Sequence, residues 1–107
     1  MTKCEFFRDG ARITGFSISG HSGYAEAGSD IVCAAISAVV GMVEATINDV
    51  CGGKAKVRVK DESARITLTL PASCDEEESV QAVLAGMLLY LCSLRDEYPD
   101  HIEVLEV

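Results

Sequence analysis

A cysteine and a histidine twelve positions apart are the residues of this chain best suited to act together. His21 opens a stretch rich in Gly, Ser and Ala, and Cys33 follows it at the head of a long apolar run. If Asp30 caps a helix there, Cys33 falls in the first turn, where free amides and the helix dipole favour a thiolate. Amides near Cys33 and Ala34 would then face a developing oxyanion. An imidazole beside the thiol would lower its pKa further and deliver a proton to a leaving amine. Gly20, Gly23 and Gly28 would let the connecting loop fold back far enough to bring His21 in. Asp30 is read first as the cap. It could instead orient His21, but one carboxylate does not readily do both. The competing reading is plain: Cys33 is a small core hydrophobe and His21 is incidental. The loop carries neither a G-x-G-x-x-G nor a G-K-[ST] element, so it does not read as a phosphate cradle.

Cys33 is one of five cysteines. An odd count suits reduced thiols rather than a disulfide framework. No C-x-x-C pair occurs, so no metal site and no cofactor is expected. Cys4 falls in a strand, Cys51 at a helix end and Cys92 in a second helix. Cys74 lies near another helix start, but Glu76, Glu77 and Glu78 follow it and oppose a thiolate. A redox protein would need a resolving thiol for Cys33. The nearest in sequence, Cys51, would stand about 27 Å away along a helix.

The elements that must hold these residues are legible from periodicity. Cys4 to Arg8 and Arg12 to Ser19 read as strands joined through Asp9-Gly10, with positive φ wanted at both turn positions. Ile31 to about Val50 reads as a helix apolar on most sides, closed by Gly52-Gly53. Ala55, Val57 and Val59 alternate with Lys56, Arg58 and Lys60. After Asp61-Glu62-Ser63, Ala64, Ile66, Leu68 and Leu70 alternate with Arg65, Thr67 and Thr69. Both runs predict strands with one face on a core. Ser73-Cys74-Asp75-Glu76 fits a capping box, and Val80, Val83, Leu84, Met87, Leu88, Leu91 and Leu94 form a helical stripe. Tyr98-Pro99 ends that helix and His101 to Val107 reads as a last strand. The order is β-β-α-β-β-α-β. The expected class is α+β, with two helices packed on a mostly antiparallel five-stranded sheet.

At 107 residues the chain fits one domain, 1–107. Its composition is 49% hydrophobic and 24% charged, which excludes intrinsic disorder. The formal net charge of -8 argues against direct nucleic-acid binding and suits a basic partner. The N-terminus has no signal-peptide pattern, and Glu44 interrupts the longest apolar stretch, so a cytoplasmic protein without a membrane span is expected. The apolar excess of the first helix suggests that a second chain covers part of it.

Residues 20–37 read GHSGYAEAGSDIVCAAIS. They resemble the signature G-H-[AS]-x-x-x-x-x-G-x-D-[IL]-V-C-A-[AG]-[IV]-S of the ribosomal-processing cysteine proteases, the Prp family. The resemblance extends over nearly the whole chain. It implies that His21 and Cys33 are the catalytic histidine and nucleophile of a bacterial cytoplasmic endopeptidase acting as a homodimer. The implied substrate is the N-terminal extension of a basic large-subunit ribosomal protein, cut after a Phe-Phe pair. The alternative is a non-catalytic acidic module docking on such a ribosomal protein.

Overall fold

Period-two alternation makes each strand two-faced, and the five strands assemble so that their apolar faces coincide. The computed structural model describes residues 1–20, 27–62 and 64–107. The strands are β1 (Thr2–Asp9), β2 (Arg12–Ser19), β3 (Lys56–Lys60), β4 (Arg65–Thr69) and β5 (Ile102–Glu106). The helices are α1 (Ala27–Ala45) and α2 (Glu77–Glu97). The expected order and class hold. One five-stranded sheet runs β3-β4-β2-β1-β5. All neighbours are antiparallel except β5, which runs parallel to β1. The register aligns Cys4 with Ile18, Phe6 with Phe16, and Phe16 with Leu68. These side chains bury against Val32, Ile36, Val43 and Ile47 of the first helical segment and Val80, Leu84, Met87 and Leu91 of α2. Each such side chain contributes about 2 kcal/mol of transfer free energy.

The first hairpin turns at Gly10-Ala11, flanked by the Asp9–Arg12 pair. Only Gly10 has positive φ, at 61°. This corrects the expected turn, which placed Asp9-Gly10 at the centre with positive φ at both; Asp9 instead ends β1. Glycine at the first central position is enough to match the strand twist.

α1 begins at Ala27, four residues before the expected start at Ile31. Asp30 is therefore inside the first turn and does not cap the helix. An acid is favourable in either place, because the dipole acts over the whole first turn. At the other end, Thr46–Val50 forms one π-helical turn. The Cys51 amide donates to the Thr46 carbonyl at 2.9 Å and the Gly53 amide to the Ile47 carbonyl at 2.7 Å. Gly52 has φ +64°, so the Gly52-Gly53 stop stands as expected. Ile31–Val50 and Glu77–Glu97 are each long and apolar enough to cross a membrane by length and composition. In this fold each lays one stripe on the sheet.

The capping box at Ser73-Cys74-Asp75-Glu76 does not form. α2 starts at Glu77, and Glu76 precedes it with φ 55° and no side-chain cap. A partner remote in sequence takes over. Arg12 Nε donates to the Glu77 carboxylate and Arg12 Nη2 to the Pro71 carbonyl at 2.8 Å. One turn on, the Gln81 amide exchanges two 2.8 Å hydrogen bonds with the backbone of Ile13. The start of α2 is thus fixed to the start of β2.

Candidate active site

The five cysteines divide by what surrounds them. Cys4 is fully buried, and Cys51, Cys74 and Cys92 pack against the core. Burial pushes the Cys4 thiol up to about 12, with Cys92 adding to the effect. The Cys74 pKa is raised by burial and by Glu77, whose carboxylate accepts the thiol hydrogen bond at 2.7 Å. Of the three acids, Glu77 is the one that opposes the Cys74 thiolate. Neither cysteine is built as a nucleophile.

Cys33 is different. It is half-buried and lines a cavity of about 410 Å³. The cavity lies between the α1 side chains Ile36 and Val40 and the sheet side chains Ile18 and Ile66. Gly20 and Thr2 complete the end nearest the His21 segment. Thr2 is one of two buried polar residues in the described chain, and its hydroxyl donates to the Gly20 carbonyl at 3.4 Å. Gly20 has φ +81°, and a Cβ there would lie 2.8 Å from the Met1 carbonyl oxygen. Only glycine fits this exit from β2.

His21 lies outside the described residues. The residue before it and the nucleophile candidate after it share one cavity, which bounds where its segment begins and ends. Gly28 and Asp30 are in the first turn of α1, so Gly28 belongs to helix and not to loop. Cys33 and Ala34 are in the second turn. Their amides are internal to the helix, whose free amides among the described residues are those of 27–29. This corrects the expectation that amides at Cys33 and Ala34 would receive an oxyanion. Thr2, Ile18 and Ile66 were not singled out from sequence, since nothing local marks a strand residue as facing a distant helix. Among the described residues no His, Cys, Asp and Glu cluster could hold a metal ion.

The comparisons with known proteins bear on this arrangement. The family model for the cysteine protease Prp matches residues 1–103. The chain belongs to the Prp family of cysteine proteases. A Bacillus subtilis (strain 168) relative, the ribosomal processing cysteine protease Prp, is 32% identical over 95 residues, covering 86% of this chain and 84% of the relative. The fold matches the Prp protease of S. aureus in complex with a substrate peptide, with TM-score 0.88, 22% identity and full coverage of both chains. It also matches that protease with a covalently linked product peptide, at TM-score 0.85 and 24% identity, again over both whole chains. SMU.848 of Streptococcus mutans superposes with TM-score 0.90 at 21% identity, covering 100% of this chain and 94% of that one. Of the residues in the 20–37 signature, Gly20, Cys33, Ile36 and Ser37 line the cavity.

Proposed function

We propose that this chain is a cytoplasmic endopeptidase that removes the N-terminal extension of a basic large-subunit ribosomal protein, cutting after a Phe-Phe pair. One observation carries the reading: Cys33 and Gly20, the residue before His21, line one apolar cavity large enough for an aromatic side chain.

The reaction is acyl transfer. The Cys33 thiolate adds to the scissile carbonyl carbon, forming a C–S bond. The C–N bond then breaks, and His21 gives its proton to the leaving amine. Water, deprotonated by His21, cleaves the thioester and restores the thiol. A helical side chain leans over the turn that precedes it, so Cys33 Sγ covers the turn holding residues 27–30. The free amides of that turn, rather than those of Cys33 and Ala34, are assigned to the oxyanion. Because dipole stabilisation fades beyond the first turn, His21 carries most of the thiolate activation. Asp30, in that turn, is near enough in sequence to act as a third member through His21.

The enzyme works as a homodimer. Met42 and Tyr90 are 53% and 45% exposed, and they border an apolar groove between α1 and α2 of about 520 Å³. A second copy covering this groove accounts for the apolar excess of α1.

The test is cleavage of a synthetic peptide carrying Phe-Phe before a small residue. Wild type is expected to cut after the second Phe, with Cys33→Ala inactive and His21→Ala reduced at least about 10²-fold. Cleavage that persists in Cys33→Ala overturns the mechanism.

A further inference from the structure

The net charge of -8 is unevenly spread. Residues 54–65 hold five Lys/Arg and two Asp/Glu, whereas the rest of the chain holds four Lys/Arg and fifteen Asp/Glu. Lys56, Arg58 and Lys60 follow one another at every second position of β3, all exposed. They share the outer face of the sheet, away from the helices, with Arg65 of β4, which pairs with Lys60. Arg65 lies across the buried Ser17 and donates to its hydroxyl at 2.9 Å.

These cations have no ion-pair partner among the described residues. Among the described residues the ion pairs are Arg8–Glu106, Arg12–Glu77 and Arg95–Asp96, and none involves β3 or β4. The acids of the same sheet face, Glu5 and Glu103, belong to β1 and β5 at the other end of the strand order. Strand spacing puts Glu5 about 14 Å from β3, beyond the screening length at physiological salt. Asp61 and Glu62 lie past the end of β3, in the connection to β4. Charged side chains on an edge strand also discourage aggregation. Lysine serves that need best, and it does not account for Arg65, which stands on the interior strand β4.

We propose that this β3–β4 face docks on the phosphate backbone of structured RNA. Lys56, Arg58 and Lys60 stand about 6.6 Å apart along β3, and Arg65 stands opposite Lys60 on β4. No apolar side chain interrupts them, so the face lacks the anchors of a protein interface or of an inserted membrane contact. It also lacks aromatic rings for stacking unpaired bases, which favours a duplex read by its backbone. The choice of RNA among polyanions rests on the ribosomal reading above. The cavity beside Cys33 opens on the inner face, so docking leaves the proteolytic site free.

A mixed-sequence RNA duplex, followed by fluorescence anisotropy with salt, is the probe. Neutralising four phosphates gives a log–log salt slope of about -3.6 for wild type. K56E/R58E/K60E, and separately K56S/R58S/K60S, should weaken binding at least tenfold while cleaving the free Phe-Phe peptide at the wild-type rate. A flat salt dependence overturns the proposal without any variant. So does unaltered RNA binding by the folded triple variants, or equal affinity for duplex DNA or polyglutamate. Failure of the protease reading would show in the peptide assay, whatever happens with RNA.

Discussion

The Thr2 hydroxyl and the Gly20 carbonyl meet at 3.4 Å, joining the first residue of β1 to the residue that precedes His21. Both line the cavity that holds Cys33. The exit from β2 is therefore anchored by a buried polar contact and by a backbone angle open only to glycine. Gly20→Ala must strain φ and crowd the Met1 carbonyl, at a cost of about 1–3 kcal/mol. Denaturant unfolding should show that loss, and peptide cleavage by the remaining folded enzyme should fall in kcat. An unchanged kcat would separate the anchor from catalysis.

Gly41 also lines the cavity, yet a Cβ there meets nothing within 4 Å. Gly41→Leu should fill space needed by the peptide while improving helix propensity by up to about 1 kcal/mol. Stability is expected to hold or rise as KM rises severalfold. A lowered KM would place the aromatic side chain elsewhere.

Arg12, with the Cys74 thiol helping, holds the Glu77 carboxyl down, from 4.5 to about 2. A depressed folded pKa stabilises above the unfolded value and loses that contribution as pH falls through the folded one. Stability should therefore decline between about pH 4.5 and 2, and Glu77→Gln should flatten that part of the profile. An unaltered acid limb in the variant would mean that Arg12 and Glu77 do not couple in solution.

Thiol alkylation should sort the cysteines. Cys33 is half-buried beside a cavity, whereas Cys4 is fully buried with its pKa pushed up to about 12. Mass mapping after brief iodoacetamide treatment at neutral pH should find Cys33 modified and Cys4 untouched until the protein is unfolded. Early labelling of Cys4 would contradict this packing.

Met42→Glu combined with Tyr90→Glu should yield monomers in sedimentation experiments, since both side chains border the α1–α2 groove. A dimer that survives both charges must use another face.

Much of this architecture was legible from spacing alone. The alternation in residues 55–70 and the stripe from Val80 to Leu94 specify their elements with no tertiary information, but Val59, expected to face the core, is 65% exposed because β3 lies at the sheet edge. The misreadings occur where two local solutions are close in energy or where a remote residue decides. Asp30 serves a helix as a cap or as a first-turn acid, so the start at Ala27 could not be told from one at Ile31. Ser73 to Glu76 has the form of a capping box, but Arg12 engages Glu77 instead. The stretch from His101 to Val107 reads as a last strand, observed at Ile102–Glu106, and carries no word of its parallel partner. In the site, Cys33 stood out by type and position. Thr2 and Ile66 reach the cavity only through the sheet.

That parallel partner has a consequence for synthesis. β1 lies between β2, which follows it at once, and β5, whose Glu106 pairs with Arg8 across almost the whole chain. While this chain is being translated, β1 keeps one side unpaired until residues 102–106 emerge. Thr2, which shapes the cavity, sits on that strand. The nascent chain thus holds an unfinished sheet beside the Cys33 cavity until β5 docks on β1.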